Sequence, residues 1–120
     1  MKSIFLLMIA AVPLIAADVT GKWSGTLTVS TPNGERPGPA YLVLKQEGAA
    51  VSGTAGPNEE EQYAIQNGKA EDGKLTFEVE RNDSTMKFVL RYEGDEIKGE
   101  VSREHNGELQ TAKLAVKRIQ

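Results

Sequence analysis

The sequence predicts an all-β protein of roughly eight antiparallel strands, arranged up and down and closing into a small barrel. Three observations predict it. From residue 18 onward, apolar and polar residues alternate in short runs, the period of a strand with one buried face. Gly, Asn, Asp and Pro punctuate these runs at the close spacing of a sandwich or barrel. No helical period of apolar residues develops in this stretch. An open β-sandwich is the alternative, because alternation sets which face is buried but not whether the sheet closes.

The first 17 residues differ in kind from the rest. Lys2 is a lone positive charge, residues 4–15 are apolar but for Pro13, and Ala16 and Ala17 supply small residues for a cut. This reads as a secretory signal peptide, helical in its apolar run and too short for a permanent anchor. Cleavage is expected after Ala17. That gives a signal peptide over 1–17, a single barrel domain over 18–120 and a secreted or periplasmic location.

Strands are then expected in order. The first, 21–30, aligns Trp23, Gly25, Leu27 and Val29; the second, 40–46, buries Leu42 and Leu44. A tight Glu47-Gly48 turn leads to 51–55, and a fourth strand covers 63–69. The fifth, 74–81, alternates most cleanly, with Leu75, Phe77 and Val79 inward and Thr76, Glu78 and Glu80 outward. The sixth, 85–92, puts Met86, Phe88, Leu90 and Tyr92 in phase; the seventh, 96–103, does the same for Ile97, Gly99 and Val101. The last, 110–118, aligns Ala112, Leu114, Val116 and Arg118. A weak repeat, turn then alternating strand, recurs at Glu47-Gly48, Asp72-Gly73 and Glu93-Gly94, and favours a meander over a Greek key.

Composition excludes several classes. With no cysteine in the chain, no disulfide framework, thiolate metal site or lipidated cysteine is expected. Residues 18–120 carry 13 basic and 17 acidic side chains, a formal charge of −4, with the signs interspersed and no basic stripe for a phosphate backbone. Nucleic acid is therefore not an expected partner. Outward positions such as Lys74, Glu78, Lys87 and Lys98 rule out a membrane barrel, which needs an apolar exterior.

Gly21-Lys22-Trp23 opens the first strand and Arg118 closes the last on the inward phase. This pairing resembles the calycin pattern of lipocalins and avidins. The resemblance implies that the Trp23 indole plugs the narrow base and that Arg118 lies over it, a cation on an aromatic face. Val51-Ser52-Gly53-Thr54 is similar to the Gly-Thr step early in avidin-like barrels. Trp23 is the only tryptophan, so the multi-tryptophan cage that holds biotin in avidins is not implied.

In an up-and-down meander the turns divide between two ends. The Trp23 end carries the short turns named above. The other end carries residues 31–39, 56–62, 82–84 and 104–108, of which all but 82–84 read as long loops. Long loops on a rigid scaffold are where binding sits. Tyr63, Arg81 and Arg103 are the candidates to orient an anionic or polar head group there, with Phe77, Met86 and Phe88 lining an apolar interior. The inward glycines Gly25, Gly53 and Gly99 either leave space or permit sharp strand bending. His105 lacks an evident catalytic partner. Glu59, Glu60 and Glu61 lack the spacing of a calcium loop and read as a solvated acidic loop. Asn82-Asp83-Ser84 fits the glycosylation acceptor pattern.

The functional expectation is a non-enzymatic secreted binding module without cofactor or metal, holding a small apolar or amphipathic ligand between Phe77, Phe88 and Tyr63. The alternative is a protein-interaction module, such as an inhibitor of an extracellular peptidase, acting through residues 31–39. That segment is stiffened by Pro32, Pro37 and Pro39.

Overall fold

The alternating runs become eight antiparallel strands in a computed structural model, which describes residues 18–105 and 107–120. The expected signal peptide and its helix lie outside the described residues. The strands are β1 (Gly21–Thr31), β2 (Gly34–Glu47), β3 (Ala50–Gly56), β4 (Tyr63–Glu71), β5 (Lys74–Arg81), β6 (Ser84–Glu93), β7 (Glu96–His105) and β8 (Glu108–Arg118). Each pairs with its successor, and β1 pairs with β8 from Trp23↔Arg118 to Val29↔Ala112. The sheet is thus a closed up-and-down barrel, which excludes the open sandwich.

Turn chemistry follows local sequence. Asn82 and Asp83 both adopt positive φ, at 53° and 62°, as a two-residue hairpin loop requires when its twist matches that of the strands. Side chains on the inward phase form one core, from Trp23 and Val19 at the base through Leu42, Leu75, Phe77, Leu90 and Ile97. The inward glycines do not leave space. A methyl at Gly25, Gly53 or Gly99 would collide with the carbonyl of Ala115, Val43 or Val89 on the adjoining strand. These glycines let neighbouring backbones approach where the wall curls.

Strand β4 departs from simple alternation. Register shifts by one residue against both neighbours, between Gln66 and Lys69 on the β5 side, and Asn67 adopts φ 54°. A bulge of this kind bends the strand and inverts the phase beyond it. Ile65 is therefore buried before the bulge and Ala70 after it.

Two of the expected long loops are corrected. Residues 31–39 contain only a two-residue turn, Pro32-Asn33, and β2 begins at Gly34, six residues before the expected start. Pairing runs from Thr31↔Gly34 down β1, whereas β3 first joins β2 at Tyr41↔Gly56. Pro37 and Pro39 thus occupy a stretch with no β3 neighbour, and such an edge is where a strand tolerates proline. Likewise β7 continues to His105 and β8 begins at Glu108, so 104–108 is a hairpin tip rather than a loop. Of the expected long loops only 56–62 remains one: six residues, 57–62, connect β3 to β4.

Candidate functional site

The base of the barrel is closed by a saturated set of bonds. Trp23 is fully buried, and its indole Nε1 donates to Val19 O at 3.0 Å. The Arg118 guanidinium lies 4.3 Å from the Trp23 ring centroid. It also donates to Thr20 O, to Asp18 O at 3.0 Å and to the Asp95 carboxylate at 2.9 Å. Val19, itself fully buried, donates its amide to Gln46 Oε1 at 2.9 Å. Among the described residues, these contacts plug the base with the buried ring.

The opposite end is built differently. Three hairpins rise above the closed wall: β1–β2, β5–β6 and β7–β8. Beyond Lys87↔Ser102 strand β6 has no further β7 partner, and β8 above Ala112 pairs with β7 alone. Between these projections the barrel interior opens into an apolar hollow of about 100 Å³. Leu27, Leu42, Val79, Met86, Phe88 and Leu114 line it, together with Pro39, Ala55, Pro57 and Tyr63; Arg81 is its one ionised lining residue.

The six-residue loop forms one lip of this mouth and is ordered from within. Asn58 Oδ1 accepts the amides of Glu60 and Glu61 at 3.0 and 2.9 Å, an Asx turn. Gln62 Nε2 donates to Asn58 O at 2.8 Å and to Tyr41 O at 3.1 Å, while Thr54 Oγ1 donates to Gln62 Oε1 at 2.6 Å. The clamp fixes where Glu61 stands. Its Oε2 accepts from Tyr63 Oη at 2.6 Å and from Arg81 Nη2 at 2.9 Å. Arg81 in turn lies over the Tyr63 ring, 4.8 Å from the centroid.

Two phenols are tuned by this loop. The hydrogen bond to Glu61 and then partial burial push the Tyr63 hydroxyl above its ordinary range. Burial, followed by the bond to Glu59, does the same for Tyr41.

Of the six residues the sequence singled out for binding, Tyr63, Arg81, Met86 and Phe88 come together at the hollow. Phe77 does not reach it. Its ring stacks on that of Phe88, its register partner, at 4.4 Å and 22°, and is buried below. Arg103 stays on β7 and donates to Gln110 Oε1 at 2.9 Å. The hollow thus lies against Tyr63 and Phe88, and Phe77 is not part of its lining. Glu61 lies in a run of glutamates that reads as solvated, and Pro39 and Pro57 lie in segments that read as loops, so sequence alone does not mark them as site residues.

His105 ends β7, and its side chain lies outside the described residues. A second depression, of about 600 Å³, crosses the outer wall of β5 to β7. Its charged rim sets Lys74, Arg91 and Lys98 against Glu93, Glu96 and Glu100, so it is an electrically balanced solvated face. No family model matches the chain, and no curated protein matches its sequence.

Proposed function

We propose that the protein is a secreted, non-enzymatic binding module of calycin-like type, whose barrel mouth takes the apolar end of a small ligand. The observation that carries this reading is the apolar hollow of about 100 Å³ at the open end, walled by Met86, Phe88, Val79 and Leu114. Sites that enclose a whole small molecule run to about 300–1,000 Å³. An apolar cavity of about 150 Å³ suffices for one benzene ring. The hollow is smaller than that, so it accepts a branched aliphatic end or the edge of a ring, with the remainder of the ligand lying among the projecting hairpins. The closed eight-stranded wall and the Arg118–Trp23 stack at the base support the calycin likeness.

Filling the hollow tests the reading. Ala55 is buried at its wall, and Ala55→Leu places additional methyl groups in the space. Native mass spectrometry of protein taken from its own secretory compartment is expected to show a small-molecule adduct on the wild type. The variant should lack it while melting no lower than the wild type. An adduct that survives Ala55→Leu, or a bare wild type, would overturn the reading.

A second reading, capture of an extracellular protein, draws on the β1–β2 overhang, a preformed hairpin held by the Thr31 Oγ1 bond to Gly34 O at 2.5 Å. Shortening that hairpin by its last pairs should abolish partner capture and leave the melting temperature almost unchanged. Unchanged capture would remove this reading.

A further inference from the structure

We infer that Glu61 is a stand-in for the ligand's own head group: a small branched-chain carboxylate enters the hollow by its tail and takes Arg81 and Tyr63 over from Glu61. This rests on the binding reading above and specifies the ligand's chemistry.

The seat is visible because a carboxylate already fills it. Tyr63 Oη and Arg81 Nη2 both donate to Glu61 Oε2, at 2.6 and 2.9 Å. Both donors also line the apolar hollow, whereas Glu61 does not. A molecule whose tail fills the hollow therefore meets the same two residues from inside. Arg81 is the one ionised residue of the lining. An anionic head finds its complement there, and an ammonium head meets a like charge. The aliphatic lining of Leu27, Val79, Met86 and Leu114 suits a branched tail, and a volume of about 100 Å³ limits that tail to a few carbons.

The hold of Glu61 on this seat is incomplete. Both bonds end on a single oxygen, and among the described residues Arg81 donates no other hydrogen bond. A guanidinium fork matches a carboxylate through two parallel bonds. A free carboxylate, not tethered to the lip, takes the fork with both oxygens and still accepts from Tyr63. The Glu61 and Arg81 side chains are also 44% and 38% exposed, so their pair contributes little and is readily exchanged.

Exchange leaves the loop in place, because the backbone around Glu61 is held by other bonds. Its amide donates to Asn58 Oδ1, and the Gln62 side chain is tied to Asn58 O, Tyr41 O and Thr54 Oγ1. Gly56 lies so close against the Glu61 carbonyl that a methyl group on it would collide. Displacing Glu61 is thus the rotation of one side chain into solvent, with no loop to reorder.

The test uses three probes with a branched tail and different heads: isovalerate, isoamyl alcohol and isoamylammonium. Binding to the full domain is followed by NMR at the Met86 and Leu114 methyl groups, both residues being part of the lining. Isovalerate is expected to bind tightest and isoamylammonium weakest. Glu61→Gln removes the competing charge and should tighten isovalerate by about twofold to fivefold. Arg81→Gln should weaken isovalerate by about tenfold or more, to the level of the alcohol. If Glu61→Gln binds isovalerate no more tightly than the wild type, or if the alcohol or the ammonium leads, the stand-in falls while the binding reading stands. If no probe shifts the methyls in the wild type or in either variant, the hollow takes no tail and both fall together.

Discussion

The two ends of this barrel are made of the same materials and do opposite things with them. Each end has an arginine over an aromatic ring and a carboxylate bonded to that arginine: Arg118, Trp23 and Asp95 at the base, Arg81, Tyr63 and Glu61 at the mouth. At the base the ring is fully buried and the guanidinium is tied to backbone carbonyls of the segment beneath it. At the mouth the ring is only half-buried, no backbone carbonyl is bonded to Arg81 among the described residues, and the apolar space beneath is not filled. The same trio closes one end because Val19 and the residues beside it are drawn over the ring. It leaves the other open because the loop stops at the lip.

The largest way to break this comparison is to remove the base ring. Trp23→Ala is expected to cost about 3–5 kcal/mol, as the loss of a large buried aromatic does, and to lower Tm by more than about 10 °C. A thermal scan that shows only a degree or two of change would mean that the base is not a packed plug. Arg118→Met keeps an apolar stem over Trp23 but strands the carbonyls of Asp18 and Thr20. A loss of about 1–2 kcal/mol in urea unfolding is expected, and an unchanged midpoint would show those bonds to be idle.

At the mouth the effects are smaller. Tyr63 and Tyr41 ionise in the unfolded chain near their ordinary value of about 10 and at a higher pH when folded. Their contribution is therefore complete below pH 10 and declines as pH rises through the folded values. The double variant Tyr63→Phe with Tyr41→Phe should lose stability less steeply than the wild type above pH 10. Parallel curves would show that the two phenols do not feel the loop. Smallest of all, Glu61→Gln should alter stability by no more than about 0.5 kcal/mol, since both partners of that pair are well exposed. A large loss would make the lip as structural as the base and erase the contrast.

Much of this could be read from the chain. Leu75, Phe77 and Val79 alternate with polar residues without interruption, and β5 lies as the alternation dictates. Tyr63 and Arg81 are legible as rim residues because strand phase and chain direction locate them without any knowledge of depth. Asn67 was harder. The bulge there inverts the phase of β4, and only the Asn-Gly step gives a local sign of it. Residues 31–39 misled because prolines usually mark loops; their strand pairing depends on β3 ending early, a fact encoded elsewhere in the chain. Glu61 was invisible in principle. Its partner Arg81 lies 20 residues away, and nothing in three consecutive glutamates says which one turns inward.

The seam between β1 and β8 has a consequence for how the molecule assembles. Every other pairing in the barrel is a hairpin between consecutive strands, formed from nearby chain with little loop-closure entropy to overcome. The seam alone joins opposite ends of the domain, with Lys22 N donating to Gln120 O at 3.0 Å and Ile119 N to Lys22 O at 2.7 Å. It acts as a latch that a growing chain cannot fasten until its last strand has arrived. A circular permutant that links these two ends and opens the β5–β6 tip at Asn82 would turn the latch into one more hairpin, moving the slow step of closure to the other side of the barrel.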